Sequence, residues 1–160
     1  MLDLMGQLTQ LRSPRPAFSN ADAAYAPLLD DIDQVEDIRI LLIGPDTLEL
    51  MCALIHRGCA SVTARRPGDR PETASADVAI VPQVASAECA DQALAQARRT
   101  LAPLGSLVLR LPVNAPVALL RHIERSLRLN GFSVGRTRML ADQILLRAEL
   151  PSFGRLMARA

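Results

Sequence analysis

Apolar positions along this chain fall into blocks that alternate between two spacings. Ile38, Ile40, Leu41, Leu42 and Ile43 form a nearly unbroken branched run, which is how a strand covered on both faces of a parallel sheet reads. This is the predicted central strand. After Pro45 the period changes: Leu50, Met51, Leu54 and Ile55 recur at helical spacing, and Gly58 suits a left-handed terminator. Strand, tight Gly44-Pro45-Asp46 turn and helix make half of a βαβ unit. Asp46 is placed to cap that helix by accepting from the Glu49 amide, with the Glu49 side chain reaching back as in a capping box.

On the N-terminal side, Met1, Leu2, Leu4, Met5, Leu8 and Leu11 form an amphipathic stripe, read as a docking helix, and Arg12–Asn20 with Pro14 and Pro16 reads as a linker. Ala21–Val35 is helix-compatible and is expected to break at Pro27. Asp30, Asp31, Asp33, Glu36 and Asp37 crowd ahead of the central strand and read as a solvated face, since their spacing brings no oxygens to one point.

Beyond Gly58, Ala60–Ala64 is a second strand, Arg65–Ala76 a loop, and Asp77–Val81 a third strand ending at Pro82-Gln83. Cys89–Leu101 is a helix with Leu94, Ala97 and Leu101 on one face. A turn at Ala102–Gly105 leads to a strand at Ser106–Leu111. Asn114 and Pro116 signal a helix that puts Leu119, Leu120, Ile123 and Leu127 on the core and ends at Asn130-Gly131. Phe132–Arg138 and Asp142–Glu149 follow as an antiparallel hairpin at the sheet edge. The order predicts an α/β three-layer sandwich, with residues 1–36 as a helical segment and linker, 37–150 as the α/β domain and 151–160 as a tail.

Length and composition narrow the classes. At 160 residues one core is expected, and no apolar run approaches a membrane span. The first residues lack a basic leader and carry Asp3, so the expected setting is cytoplasmic. Cys52, Cys59 and Cys89 are odd in number and lack metal-ligand spacing, so no metal is expected; Cys52 falls in the helix pattern and reads as a small core residue. Residues 1–89 carry 13 acids against 7 arginines, and residues 90–160 carry 11 arginines against 4 acids, with no lysine anywhere. That asymmetry suits a protein partner or self-association. With no Trp, one Tyr and three Phe there are few platforms for bases, which argues against nucleic acid. Arg121, Arg125 and Arg128 share one helix face opposite the apolar stripe and are the candidate partner-binding residues. His56 and His122 read as isolated surface residues.

The order of elements resembles the class I S-adenosylmethionine-dependent methyltransferases, and three motifs carry the likeness. Ile43–Leu50 (IGPDTLEL) is similar to the family's I-G-P-G-T-G-E-L loop. Leu101–Leu109 (LAPLGSLVL) is similar to L-x-P-G-G-x-L-V-L, and Asn130-Gly131-Phe132 to the L-x-x-x-G-F that opens the last two strands. The resemblance implies a mostly parallel Rossmann-like sheet with a C-terminal antiparallel hairpin. It also implies a cofactor crevice at Gly44, Pro45, Asp46, Arg65, Arg66, Pro82 and Gln83.

Several positions depart from that pattern. Asp46 and Leu48 stand where the family's second and third glycines let the backbone approach the cofactor. The Asp46 carboxylate would lie near the cofactor's own carboxylate. Arg65 and Arg66 stand where the family places an acid to accept from the ribose hydroxyls, and a guanidinium cannot accept. The short loop after the second strand replaces a helix and strand, so the sheet is expected to be reduced by about one strand, with Ala60–Ala64 near an open edge. The reading reached from these residues is a methyltransferase-like protein with a degenerate S-adenosylmethionine site, acting as a non-catalytic binding or scaffold module with no cofactor. The alternative is a divergent S-adenosylmethionine-dependent methyltransferase with an unknown acceptor.

Overall fold

The computed structural model describes residues 20–151 except Asp33 and residues 71–74. The expected docking helix, the linker up to residue 19 and the tail from residue 152 lie outside the described residues. Ten elements follow in order: α1 (Asn20–Asp30), β1 (Arg39–Ile43), α2 (Leu48–His56), β2 (Ser61–Arg65), β3 (Ala76–Val81), α3 (Ala87–Thr100), β4 (Leu101–Pro112), α4 (Val117–Leu129), β5 (Ser133–Met139) and β6 (Gln143–Glu149).

The six strands form one sheet in the order β2-β1-β3-β4-β6-β5. β2, β1, β3 and β4 run parallel, and β6 joins β4 antiparallel and carries β5 as its hairpin partner. Among the described residues β2 pairs only with β1, and its side chains are exposed or half-buried, so it is the open edge that the short following loop implied.

Alternation along the strands sorts side chains between two cores. Ile40, Leu42, Val78, Ile80, Val108 and Leu145 face α1 and α2. Leu41, Ile43, Ala79, Val81, Leu107, Leu109 and Leu146 face α3 and α4. α4 buries Ile123 and Leu127 and half-buries Leu119 and Leu120, so its apolar stripe meets the sheet as its spacing required. Gly131, at φ +83, ends it.

Two expectations change here. Pro27 does not break α1, which runs through it to Asp30. Its missing N–H costs the helix about 3 kcal/mol, and the full burial of Leu28 and Leu29 immediately after it offsets that at about 1.5–3 kcal/mol each. Asp31 is not part of a solvated face. It is 4% exposed, and Arg138 Nη1 donates to its Oδ1 at 3.2 Å while Arg147 Nη1 donates to its main-chain oxygen at 2.8 Å. Both arginines come from the terminal hairpin, so the end of α1 is fastened to β5 and β6.

The expected turn at Ala102–Gly105 lies within β4 as an excursion from the ladder. Leu101 pairs with Ala76 and Ser106 with Val78, leaving four residues of β4 opposite one of β3. Leu104 sits at φ +68 in that excursion. A Cβ on Gly105 would stand 2.8 Å from the Ala102 carbonyl oxygen, so only glycine lets the chain close it.

Candidate functional site

Strand order reverses between β1 and β3, and in open α/β sheets ligands bind beyond the carboxyl ends of the strands at such a point. The residues there are those after β1, β2 and β3. Gly44, at φ +148, donates its amide to the Arg65 carbonyl at 2.9 Å. Pro82 is buried, and a Cβ on Gly44 would lie 3.9 Å from its Cδ. Gly44, Arg65 and Pro82 therefore meet as the sequence placed them. Pro45, Asp46, Arg66 and Gln83 flank them and are exposed.

Asp46 does not cap α2. The N-cap is Thr47, no side-chain cap bond is formed, and no Asp46–Glu49 capping box exists. Asp46 instead takes φ +53, a left-handed conformation that asparagine, aspartate and glycine adopt most readily. The capping rule fails because the extended backbone that an N-cap needs is absent at this position. Asp46→Gly should therefore raise the unfolding free energy by about 0.5–1 kcal/mol, left-handed relief outweighing the added chain freedom. A chemical-denaturation midpoint that falls instead would mean the side chain does hold the helix start.

A groove of about 550 Å³ opens at this point, lined by Pro45, Arg66, Pro67, Ser86, Glu88, Cys89 and Gln92. Of these only Pro67 and Cys89 are even half-buried. Small-molecule sites bury most of their ligand between apolar walls, and this groove has none of that depth. The Ser86 hydroxyl at its rim already accepts from the Cys89 amide as the cap of α3. The Arg66 amide is likewise occupied by the Asp69 carboxylate at 2.9 Å.

A second groove of about 710 Å³ lies beyond β3 and β4, and Gln83, Arg110, Asn114, Asp142 and Gln143 are its polar lining. Among them only Gln83 is a candidate site residue on the sequence. Arg110 donates from Nε to the Pro82 carbonyl at 2.7 Å, and its guanidinium carbon stands 4.8 Å from the Tyr25 ring centroid. Gln143 is 7% exposed and its Oε1 has no partner. A buried amide oxygen without a donor is costly, so a ligand N–H or O–H would be welcome there. The only signal for this groove in the sequence was polar residues at strand ends, which is too common to single out.

Two further expectations are corrected. His122 is not isolated: its Nε2 lies 2.9 Å and 3.0 Å from the two Asp91 carboxylate oxygens, and the Ser126 hydroxyl donates to the same carboxylate. The hydrogen bond from Ser126, the largest effect, holds the Asp91 carboxyl below its ordinary range against the opposing effect of burial, and the contact with His122 adds to the lowering. Both groups bond to the aspartate and none bonds Ser126 to His122, so the set ties α3 to α4 and lacks the serine-to-histidine contact of a nucleophilic relay. Cys52 is exposed and not a core residue, because the buried face of α2 is Leu50, Ala53 and Leu54. His56 is exposed, and Arg121, Arg125 and Arg128 are exposed on α4 and line neither groove. No group of three potential metal-binding side chains occurs among the described residues.

No protein-family model matches the sequence, and no curated protein does. Solved structures do match. An S-adenosylmethionine-dependent methyltransferase from Mesorhizobium loti aligns with TM-score 0.60 and 13% identity over 79% of this chain and 97% of that one. The 1,6-didemethyltoxoflavin-N1-methyltransferase of Burkholderia thailandensis, solved with S-adenosylhomocysteine bound, aligns with TM-score 0.62 and 12% identity over 84% and 78%. This chain has the class I S-adenosylmethionine-dependent methyltransferase fold. The [4+2]-cyclase SpnF also aligns, with TM-score 0.58 and 14% identity over 81% of this chain and 83% of that one. In this chain β2 is followed directly by β3, and no described helix is long and apolar enough to cross a membrane.

Proposed function

We propose that this methyltransferase-fold chain binds no S-adenosylmethionine, transfers no methyl group, and works as a binding module for a protein partner. The observation that carries this reading is the turn after β1. Asp46 brings a carboxylate and a Cβ to a left-handed position, and the next departure from the glycine pattern, Leu48, stands 71% exposed at the first turn of α2. S-adenosylmethionine carries its own carboxylate, which a like charge at Asp46 would repel. Arg65 at the end of β2 supplies donors where a ribose needs an acceptor. Fold alone does not fix an activity, and function has to be argued from the site.

A groove of about 550 Å³ at the strand-order switch favours one competing reading, a divergent methyltransferase that holds its cofactor with other groups. Thermal melts with S-adenosylmethionine and S-adenosylhomocysteine separate the two. A ligand at about 100 times its dissociation constant adds roughly 2.7 kcal/mol, which for a domain of this size raises the midpoint by about 5–10 °C. No shift is expected at millimolar ligand. A shift of that size would overturn the binding-module reading and establish the competing one.

A further inference from the structure

Helix α2 is apolar on both faces. Its inner face, Leu50, Ala53 and Leu54, is buried in the core shared with α1. Its outer face carries Leu48, 71% exposed, Ile55, 59% exposed, and the exposed Cys52. At 3.6 residues per turn these three fall within about 60° of one another, directly opposite the buried face. A surface helix ordinarily keeps that arc polar, and a contiguous exposed apolar stripe marks an interaction surface.

We propose that this stripe is the contact between two copies of the chain, packed with their α2 helices antiparallel about a two-fold axis near Cys52. The charges beside the stripe select that occupant. Glu49 in the first turn and His56 in the last lie seven residues apart on the same flank, and both are exposed. In a parallel two-fold pair each flank faces the partner's opposite flank, so Glu49 would meet neither its own copy nor His56. In the antiparallel pair each Glu49 meets the partner's His56, twice over, because a two-fold interface is self-complementary. The same register sets Leu48 against the partner's Ile55 and brings the two Cys52 residues together. The helix dipoles also run in opposite directions in this arrangement.

Helices pack about 8–10 Å apart, and each Cα lies about 2.3 Å from its axis. Two inward-facing Cys52 Cα atoms would then approach to roughly 3.4–5.4 Å, which overlaps the range of about 4.4–6.8 Å that a disulfide spans. A nine-residue helix is short, at about 14 Å, so the contact belongs with small, exchanging interfaces rather than permanent ones.

The test uses the full chain with Cys59→Ser and Cys89→Ser, leaving Cys52 as the sole thiol. Sedimentation velocity over a rising concentration series should show monomer passing to dimer. Diamide, which accepts the two electrons and two protons released by two thiols, should trap that dimer as a Cys52 disulfide. Ile55→Glu should return the protein to monomer with its melting midpoint nearly unchanged, since this residue is outside the core. Glu49→Lys should weaken the dimer several-fold, and Glu49→Lys with His56→Glu should restore it. A monomer at every concentration overturns the proposal. So does a dimer indifferent to Ile55→Glu, which would place the contact elsewhere. A monomer whose Cys52 resists thiol reagents also overturns it, and assigns the face to the stripe of Met1–Leu11.

Discussion

Leu42→Ala is expected to lower the unfolding free energy by about 2–5 kcal/mol, the range for a leucine removed from a site that cannot collapse. Leu42 is fully buried in β1 and lies between Ala64 on β2 and Ile80 on β3 in the ladder. Hydrogen bonds to two neighbouring strands hold the backbone in place, so the cavity stays open. Its side chain belongs to the core formed with α1 and α2, which anchors the turn that follows β1. Domains of this size hold about 5–15 kcal/mol in all, and each kcal/mol shifts the midpoint by about 2–4 °C. Thermal melts should therefore show a fall of about 5–20 °C. A fall under about 2 °C would mean that β1 is not the packed centre of the sheet.

Asp31→Ala is the second large effect. Breaking a fully buried ion pair costs about 3–5 kcal/mol, but the Arg138 side chain is 33% exposed against 3% for Asp31. The stranded guanidinium can turn to water, so the expected loss is about 1–3 kcal/mol. The bond from Arg147 survives the substitution because it ends on the Asp31 main chain. Urea unfolding of Asp31→Ala, Arg138→Ala and the double variant measures the coupling directly. Partners in contact should couple by at least about 0.5 kcal/mol. Additive losses, or a single loss within the range of about 0.5 kcal/mol typical of surface changes, would return Asp31 to the solvated face that its neighbours suggested.

Asp31 also shows what one-dimensional reading can and cannot reach. The elements were legible because each is announced locally: five branched residues for β1, a 3.6-residue stripe for α4, glycine after each of α2 and α4, and two short runs with a brief connection for the last two strands. The ion pair of Asp31 spans 107 residues, and the contact of His122 with Asp91 spans 31, so no spacing rule could join them. Asp46 failed for a different reason. Its residue type fitted a cap, but capping depends on a backbone dihedral, and φ +53 is fixed by how the turn leaves β1. For α2 the spacing of Leu50, Met51, Leu54 and Ile55 announces a helix without saying which side is buried, and Ile55 is exposed. The helix has two apolar faces, and composition alone cannot say which of them the sheet takes. The candidate residues Gly44, Arg65 and Pro82 come together because strand ends in a parallel sheet converge whatever their side chains are.

The sixth strand gives the molecule a particular mechanical unity. β6 lies between β4 and β5 in the sheet, sends Leu145 into one core and Ile144, Leu146 and Ala148 into the other, and through Arg147 grips the end of α1. Neither helical layer can loosen without disturbing a strand that the other layer needs. The two sides of the sheet are thus halves of one cooperative unit, and spectroscopic probes set on opposite faces would report the same transition.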